Sequence, residues 1–201
     1  FESGSMPFAQ VHYPFENKKW FEEHFPADFI VEYINQTRGW FYTLHVLAGA
    51  LFDKPAFKNV ICHGILLAEY GTKLSKKLRN YTEPTEIFEA QGSDALRWYF
   101  MSSSIVRGGD SRISDQSIDD VVRQVINPIW SAYSFFTLYA NIDDYQATFI
   151  SDPSNTLDKY ILAKTHQLVT NVTDHMEKYD LPGATNEIRG FIDDLNNWYI
   201  R

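Results

Sequence analysis

The sequence contains a single cysteine, no long hydrophobic run and no overall excess of positive charge. With Cys62 as its only cysteine, the chain cannot form an internal disulfide or a cysteine-rich zinc site, and a reducing cytoplasmic location is expected. No run of about 18 apolar residues is present, which argues against a membrane-spanning helix. The formal net charge of -8 argues against a surface that is basic throughout. This total does not exclude a local phosphate site, because the distribution of charge sets the local field.

The first 70 residues have the pattern of a strand–helix–strand unit. Hydrophobic residues make up 44% of the whole chain, as expected of a globular protein. Residues 27–33 are predicted to form a strand, and residues 36–52 form a helix with apolar residues on one face. The nearly all-apolar run 59–68 predicts a second, fully buried strand of a parallel sheet. Such a βαβ unit has a right-handed crossover.

The remaining chain has a helical pattern. Short helices are predicted over 84–90 and 93–103, and an apolar stripe continues from residue 118 to residue 140. Pro128 lies inside this stripe and is expected to kink the helix. Two further helices are predicted over 156–179 and from 182 to the end. The sequence therefore predicts an α/β part followed by an all-α part.

A short basic loop follows the second predicted strand. Four cations and no acid lie within residues 72–80, which read TKLSKKLRN. Lysines between secondary-structure elements most often form a solvated loop, and such a run also fits a nuclear-localisation patch. In open parallel sheets, however, ligands bind beyond the carboxyl ends of the strands. The loop is therefore also a candidate phosphate site.

Other polar residues are predicted at the same edge of the sheet. Glu32, Asn35 and Gln36 lie where the first strand leads into its helix, and His63 and Gly64 lie in the second strand. A glycine there would let a flat ligand approach the backbone. Taken singly, a histidine in such a strand more often forms a structural hydrogen bond than binds a ligand. A glutamate at a strand end is more often part of a helix start than of a binding site. Their shared position is what favours a site.

Several segments resemble a known enzyme family. The segment 73–77, KLSKK, resembles the KMSKS signature of class I aminoacyl-tRNA synthetases, with Leu for Met and Lys for the final Ser. Four other segments are similar to the isoleucyl-tRNA synthetase family in order and spacing: FESGSMP at 1–7, QTRGWFY at 36–42, DALRW at 94–98 and NWYIR at 197–201.

The resemblance implies a fold and a division of the chain. Residues 1–80 correspond to the second half of a Rossmann-like parallel nucleotide-binding fold with the KMSKS-type loop. Residues 81–115 correspond to a stem-contact-like helical connector, and residues 116–201 to the start of the anticodon-binding helical bundle.

The resemblance also implies an activity and its residues. Isoleucine is activated with ATP, which enters with Mg²⁺ as a substrate complex, and the isoleucyl group of the adenylate then passes to tRNA(Ile). Lys76 contacts the ATP phosphates as the lead catalytic candidate, with Lys73 as its helper. The remaining ATP-binding candidates are His63, Gly64, Ser75 and Asn35. The candidates for binding the aminoacyl-adenylate are Glu32, Gln36 and Trp40. Lys77 receives no catalytic role, and no zinc or other metal ligands are expected.

The chain departs from the family pattern in ways that limit these expectations. Asn35 stands where many members have an aspartate for the ribose hydroxyls, and an amide lacks the charge of that carboxylate. No His-x-Gly-His signature is present, and the family's editing domain would precede Phe1. The chain is therefore expected to be a central fragment with little activity alone. The alternatives are a synthetase of the Val/Leu/Met subgroup, a non-catalytic tRNA-binding helical module and a stand-alone ATP-binding domain.

Overall fold

The computed structural model describes residues 1–201, which divide into two compact units. The first unit consists of Phe1–Ile65 and Ser104–Asp110. The second consists of Leu66–Ser103 and Ser111–Arg201. Each unit has its own cluster of buried apolar side chains. No helix in either unit is both long enough and apolar enough to cross a membrane.

The first unit contains the predicted βαβ arrangement. Its elements are α1 (Glu2–Ala9), α2 (Lys18–His24), β1 (Ala27–Tyr33), a 3-10 turn (Ile34–Arg38), α3 (Trp40–Phe52), β2 (Phe57–His63) and a second 3-10 turn (Ser104–Arg107). The strands β1 and β2 are parallel, and their register pairs Ala27 with Phe57 and Tyr33 with His63. Both strands therefore end at the same edge of the sheet.

The core of the first unit lies between α3 and the sheet. Leu44 and Ala48, one helical turn apart on α3, pack with Ala56, and partly buried apolar side chains of both strands surround them. Phe29 and Val31 on β1 remain about half exposed, at 48% each, and Val60 on β2 is 46% exposed. The prediction of a fully buried second strand is therefore wrong. A sheet of two strands leaves part of its apolar surface in contact with solvent.

The predicted second strand is also interrupted. Strand β2 ends at His63, and a separate short strand, β3 (Leu66–Leu67), belongs to the second unit. Between them, the Gly64 N–H donates to the Ile105 carbonyl at 2.9 Å, and the Ile65 N–H donates to Asp110 Oδ1 at 3.0 Å. The apolar run continues through residue 68, but the N–H groups of Gly64 and Ile65 bond to the 104–110 segment instead of continuing the ladder with β1.

The second unit is mainly helical. In addition to β3 its elements are α4 (Pro84–Gln91), α5 (Ser93–Ser102), β4 (Ser111–Arg112), α6 (Asp115–Val121), a π-helical turn (Val122–Ile126), α7 (Asn127–Ile142), α8 (Thr156–Glu177), α9 (Leu181–Asp194) and a second π-helical turn (Leu195–Ile200). Strand β4 pairs in parallel with β3. The buried cluster is formed by residues of α4, α5 and α6, and Ile118 at its centre is completely buried.

Pro128 changes the winding of its helix. The π-helical turn ends immediately before α7, and the Asn127 N–H donates to the Val122 carbonyl, five residues earlier. Proline cannot donate a backbone hydrogen bond, and its ring collides with the carbonyl four residues before it in a regular α-helix. The wider turn accommodates the ring, so the helical pattern continues from Asp115 to Ile142.

Candidate functional site

The first unit gathers polar residues at the carboxyl edge of its sheet. Glu32 is paired in register with Cys62, and Tyr33 is paired with His63. Because successive side chains of a strand point to opposite faces, Glu32 and His63 lie on different faces of the sheet. Asn35 follows in the 3-10 turn and is exposed. The edge therefore offers a carboxylate, an amide and an imidazole to a ligand.

Two acceptor side chains at this edge are held by the main chain. Oε2 of Glu32 accepts a hydrogen bond from the Tyr33 N–H at 2.7 Å. Oε1 of Gln36 accepts from the Trp40 N–H at 2.9 Å, so Gln36 satisfies a backbone donor in the first turn of α3. A Cβ on Gly39 would lie 2.7 Å from that same oxygen, so a larger residue there would displace the Gln36 side chain.

Trp40 is fixed by both packing and hydrogen bonding. Its ring packs against the buried cluster of the first unit. Its indole N–H donates to the Ser3 carbonyl at 3.0 Å, which ties α3 to α1. The side chain is thus partly buried and held in one orientation.

His63 and Gly64 end β2. The Nδ1 atom of His63 lies 2.9 Å from the Gly64 carbonyl oxygen, so this nitrogen carries the hydrogen and Nε2 is the acceptor in the neutral ring. A Cβ on Gly64 would lie only 2.1 Å from the carbonyl oxygen of Gly109. The close approach that requires this glycine is therefore made by the chain itself.

The second unit contains the basic segment 72–80, here called the lysine loop. One side chain closes it: Oδ1 of Asn80 accepts from the Ser75 N–H at 2.9 Å. Its Nδ2 donates to the Lys73 carbonyl at 3.0 Å and to Thr72 Oγ1 at 3.2 Å. The Ser75 carbonyl in turn accepts from the N–H groups of Leu78 and Arg79. Ser75 therefore supports the loop through its main chain.

The cationic side chains of the lysine loop are exposed. Lys73, Lys76 and Lys77 all lie on the surface of the second unit. The lysines that form ion pairs in the structure lie elsewhere in the chain: Lys18, Lys19, Lys58 and Lys164. A loop with its backbone tied and its ammonium groups in solvent can offer positive charge to a phosphate chain.

A cavity of about 420 Å³ lies beneath the lysine loop within the second unit. Its apolar wall includes Leu74 of the loop together with Ile87 and Leu96 of the buried cluster. At its rim the Thr82 hydroxyl donates to Asp115 Oδ1 at 2.8 Å. Leu74 therefore faces the interior of the unit while the neighbouring lysines face solvent.

Polar contacts join α8 to α9 and to the π-helical turn that follows α9. Lys164 Nζ lies 3.1 Å from Asp194 Oδ2, and the hydrogen bond and charge of this carboxylate raise the pKa of Lys164. The Tyr199 hydroxyl donates to Asp158 Oδ1 at 2.8 Å, which raises the pKa of Tyr199. Lys164 is thus engaged by an acid on the neighbouring helix.

Sequence reasoning singled out the lysines and the serine but missed Asn80. Its three hydrogen bonds span the loop, whereas its position eight residues after Thr72 matches no regular pattern. The only available signal was its residue type, because asparagine side chains commonly bond to nearby main chain in turns. No group of three or more His, Cys, Asp or Glu side chains is arranged to hold a metal ion.

Two family models match the chain. The model described as "tRNA synthetases class I (I, L, M and V)" matches residues 1–145. The model described as "Anticodon-binding domain of tRNA ligase" matches residues 158–201.

Curated relatives that are more than half identical to the chain are isoleucine–tRNA ligases. The chain is 56% identical, over all of its 201 residues, to the proteins of that name from Mycobacterium tuberculosis and Corynebacterium efficiens. It is 54% identical to the corresponding protein of Rickettsia prowazekii over an alignment of 203 residues. The chain spans about 19% of the length of each of these relatives.

Solved structures support the same fold at lower identity. The LeuRS of Agrobacterium radiobacter K84, in a ternary complex with tRNA and LeuAMS, aligns with a TM-score of 0.76 at 19% identity, over 95% of this chain and 26% of that one. The methionyl-tRNA synthetase of Mycobacterium tuberculosis with methionyl-adenylate gives 0.72 at 22% identity, over 96% and 38%. The predicted fold class and the resemblance seen in the sequence are confirmed, and the chain belongs to the class I tRNA synthetases of the isoleucine, leucine, methionine and valine group.

Proposed function

We propose that the chain is the part of an isoleucine–tRNA ligase that carries the KMSKS-type lysine loop and one edge of the adenylate site. The observation that carries the proposal is the lysine loop itself, with its backbone closed by Asn80 and its lysines in solvent. The 56% identity to isoleucine–tRNA ligases over the whole chain favours isoleucine over the leucine, methionine and valine members of the family.

The proposed first reaction joins isoleucine to ATP. A carboxylate oxygen of isoleucine forms a bond to the α-phosphorus, and the bond from that phosphorus to the bridging oxygen of the β-phosphate breaks. Pyrophosphate leaves with the electron pair, so negative charge grows on its oxygens. Lys76, with Lys73 beside it, stabilises this charge, and the flexible ammonium stems follow the pyrophosphate as it departs. Catalysis of this kind rests on positioning and electrostatics.

The edge of the first unit is proposed to hold the adenylate. Glu32 binds near the amino group of the isoleucyl moiety, and Gln36 lines the same site. The ring of Trp40, fixed by its bond to the Ser3 carbonyl, forms a wall of the side-chain pocket. His63 packs on the adenine, whereas the space above Gly64 is filled by the Gly109 carbonyl, so Gly64 is not proposed to contact the base. The exposed amide of Asn35 hydrogen-bonds the ribose hydroxyls.

The partners of the complete enzyme follow from the same proposal. They are ATP with its Mg²⁺, isoleucine and tRNA(Ile), with Ser75 supporting the loop that meets the phosphates. We also propose that residues 1–80 belong to the catalytic domain, residues 81–115 to the helical connector and residues 116–201 to the anticodon-binding domain. The proposed location is the cytoplasm, as predicted from the single cysteine Cys62.

Amino-acid-dependent ATP–pyrophosphate exchange tests this function. The complete ligase that contains this sequence is expected to exchange pyrophosphate with isoleucine present. Valine is expected to be weaker by about 10–200-fold, since one methylene discriminates only modestly. Leucine- or methionine-dependent exchange that exceeded the isoleucine reaction would contradict the assignment.

The 201-residue chain alone is expected to show little or no exchange. The sequence has no His-x-Gly-His segment. In the class I synthetases that the chain resembles, that signature contacts the ATP phosphates. The same exchange assay applies, with the complete ligase as the positive control. Robust isoleucine-dependent exchange by the chain alone would show that the expectation is wrong.

A second candidate role, tRNA binding by the helical part without chemistry, is favoured by the match of residues 158–201 to the anticodon-binding family. Against strong autonomous binding, this part of the chain carries paired acids at Asp143–Asp144 and Asp193–Asp194, and Lys164 is engaged by Asp194. A titration of the chain with tRNA at several salt concentrations separates the two roles. A surface that binds the phosphates of tRNA loses affinity steeply as the salt concentration rises. The proposed role as part of the ligase, in contrast, does not require the chain alone to bind tRNA tightly.

A further inference from the structure

We infer that Asn80 is a positioning residue for amino-acid activation, acting through Lys73 and Lys76. The inference rests on the proposed function of the lysine loop. Asn80 does not itself contact the reacting atoms; it holds the backbone from which the two lysines project.

The hydrogen bonds of Asn80 join the end of the loop to its first half. Its carboxamide accepts from the Ser75 N–H and donates to the Lys73 carbonyl and to the Thr72 hydroxyl. Lys73 is thereby tied at its own carbonyl. Lys76 follows directly after Ser75, whose N–H is the group that Asn80 accepts. One side chain therefore fixes the main chain at or next to both proposed catalytic lysines.

Among common side chains of this size, only asparagine can form this set of bonds. A carboxamide offers an acceptor and two donor hydrogens in one plane, whereas an aspartate offers acceptors alone and a serine only one donor hydrogen. An aspartate at this position would place a negatively charged oxygen about 3 Å from the Lys73 carbonyl, a contact of two acceptors. The chemistry of the residue thus matches the geometry of the loop.

The neighbouring residues direct Asn80 back toward the loop. Arg79 has a positive φ of 46°, in the left-handed region, and its N–H donates to the Ser75 carbonyl at 2.9 Å. On the other side Leu74 lines the cavity beneath the loop together with Asn80. Three features thus fix the conformation of the loop: the turn at Ser75–Arg79, the apolar side chain of Leu74 in the cavity and the carboxamide of Asn80.

Fixing the backbone matters because lysine side chains are long and flexible. A lysine can follow a moving phosphate only within the radius of its stem, and that radius is measured from its Cα atom. An untied loop spreads the two ammonium groups over many positions, and few of these match the growing charge of the pyrophosphate. A misplacement of about 1 Å in a catalytic group can cost about 100-fold in rate.

The test is a double-mutant cycle in the complete ligase, with Asn80→Ala, Lys76→Ala and the combined variant. In isoleucine-dependent ATP–pyrophosphate exchange, N80A alone is expected to lower kcat by about 10–100-fold, with a smaller change in the KM for ATP. In the Lys76→Ala background the same substitution is expected to cost only about threefold, because the larger part of its effect passes through Lys76 and the remainder through Lys73. Asn59→Ala is the matched control. The side-chain amide of Asn59, on β2, donates to the backbone carbonyl of Asp28 at 2.9 Å, and the substitution removes this hydrogen bond.

The outcomes separate this inference from the proposed function. The inference is wrong, and the proposed function stands, if N80A keeps wild-type kcat while Lys76→Ala loses activity. The same holds if the loss in the combined variant equals the product of the two single losses. If Lys76→Ala retains full exchange, the proposed function itself fails. Thermal unfolding of each variant identifies a general loss of fold. Should N80A unfold, Asn80→Ser takes its place in the cycle, since a hydroxyl has one donor hydrogen, cannot form all three bonds and adds no charge; a loss of kcat and a coupling to Lys76 of the same sign are expected.

Discussion

Lys76→Ala is expected to lower the kcat of isoleucine-dependent ATP–pyrophosphate exchange by about 10²–10³-fold in the complete ligase. The lysine is exposed on a loop whose backbone is tied. In the proposed reaction its ammonium group meets charge that grows only as pyrophosphate leaves. An interaction that strengthens in the transition state lowers kcat when it is removed, with less effect on KM. Exchange rates over a range of ATP concentrations measure both constants.

Lys77→Ala provides the matched control for the loss of charge. Lys77 is adjacent, equally cationic and also exposed, but it receives no catalytic role. Its removal changes the general field of the loop and is expected to lower the exchange rate by less than about fivefold. Equal losses in the two variants would show that the loop acts through its total charge, and the specific role of Lys76 would then be abandoned.

Gly64→Ala is expected to destabilise the first unit by about 3 kcal/mol or more, near the upper end for overpacking. The new Cβ would lie 2.1 Å from the carbonyl oxygen of Gly109 and 2.5 Å from its carbonyl carbon. These are main-chain atoms and cannot rotate away. The segment is also fixed, since the Gly109 N–H donates to the Ser104 carbonyl at 3.0 Å and the Gly64 N–H to the Ile105 carbonyl. Relief therefore requires the backbone of 104–110 to shift.

Urea unfolding of the 201-residue chain checks this expectation, with amide hydrogen exchange of residues 57–65 to follow the first unit separately. Gly49→Ala is the matched control in the same unit, because nothing lies within 4 Å of the position that its Cβ would take. Gly49 is inside α3, so alanine there is expected to stabilise the helix by about 0.5–1 kcal/mol. If G64A were as stable as the wild type, the close packing of residues 108–110 on β2 would be refuted.

The bounds of some secondary-structure elements could be predicted from the sequence, and those of others could not. Strand β1 was predicted with its observed bounds, since its apolar residues are bracketed by proline and by the polar turn. The helix predicted from residue 36 begins at Trp40, because Gln36 lies in a 3-10 turn and binds the Trp40 N–H with its side chain. The second strand was predicted too long. Apolar character continues past His63, and only the bonds from Gly64 and Ile65 to the 104–110 segment show that the ladder ends.

The candidate site shows the same division. The concentration of lysines in a loop after a strand was visible from charge alone, and the edge formed by Glu32 and His63 followed from the parallel strands. The sequence suggested that Gly64 admits a ligand, whereas the structure shows Gly109 filling the space above it. The role of Asn80 required the three distances that connect it to residues 72–75.

The sequence by itself determined the family, the parallel βαβ unit, the helical remainder and the lysines of the loop. These depend on periodicity, charge and short motifs, which are properties of neighbouring residues along the chain. Only the tertiary structure decided where the second strand stops, why residue 64 is glycine and which side chain closes the lysine loop. Each of these depends on atoms that are distant in sequence or linked by no regular spacing, and their approach is set by packing and by the need to satisfy every buried backbone donor.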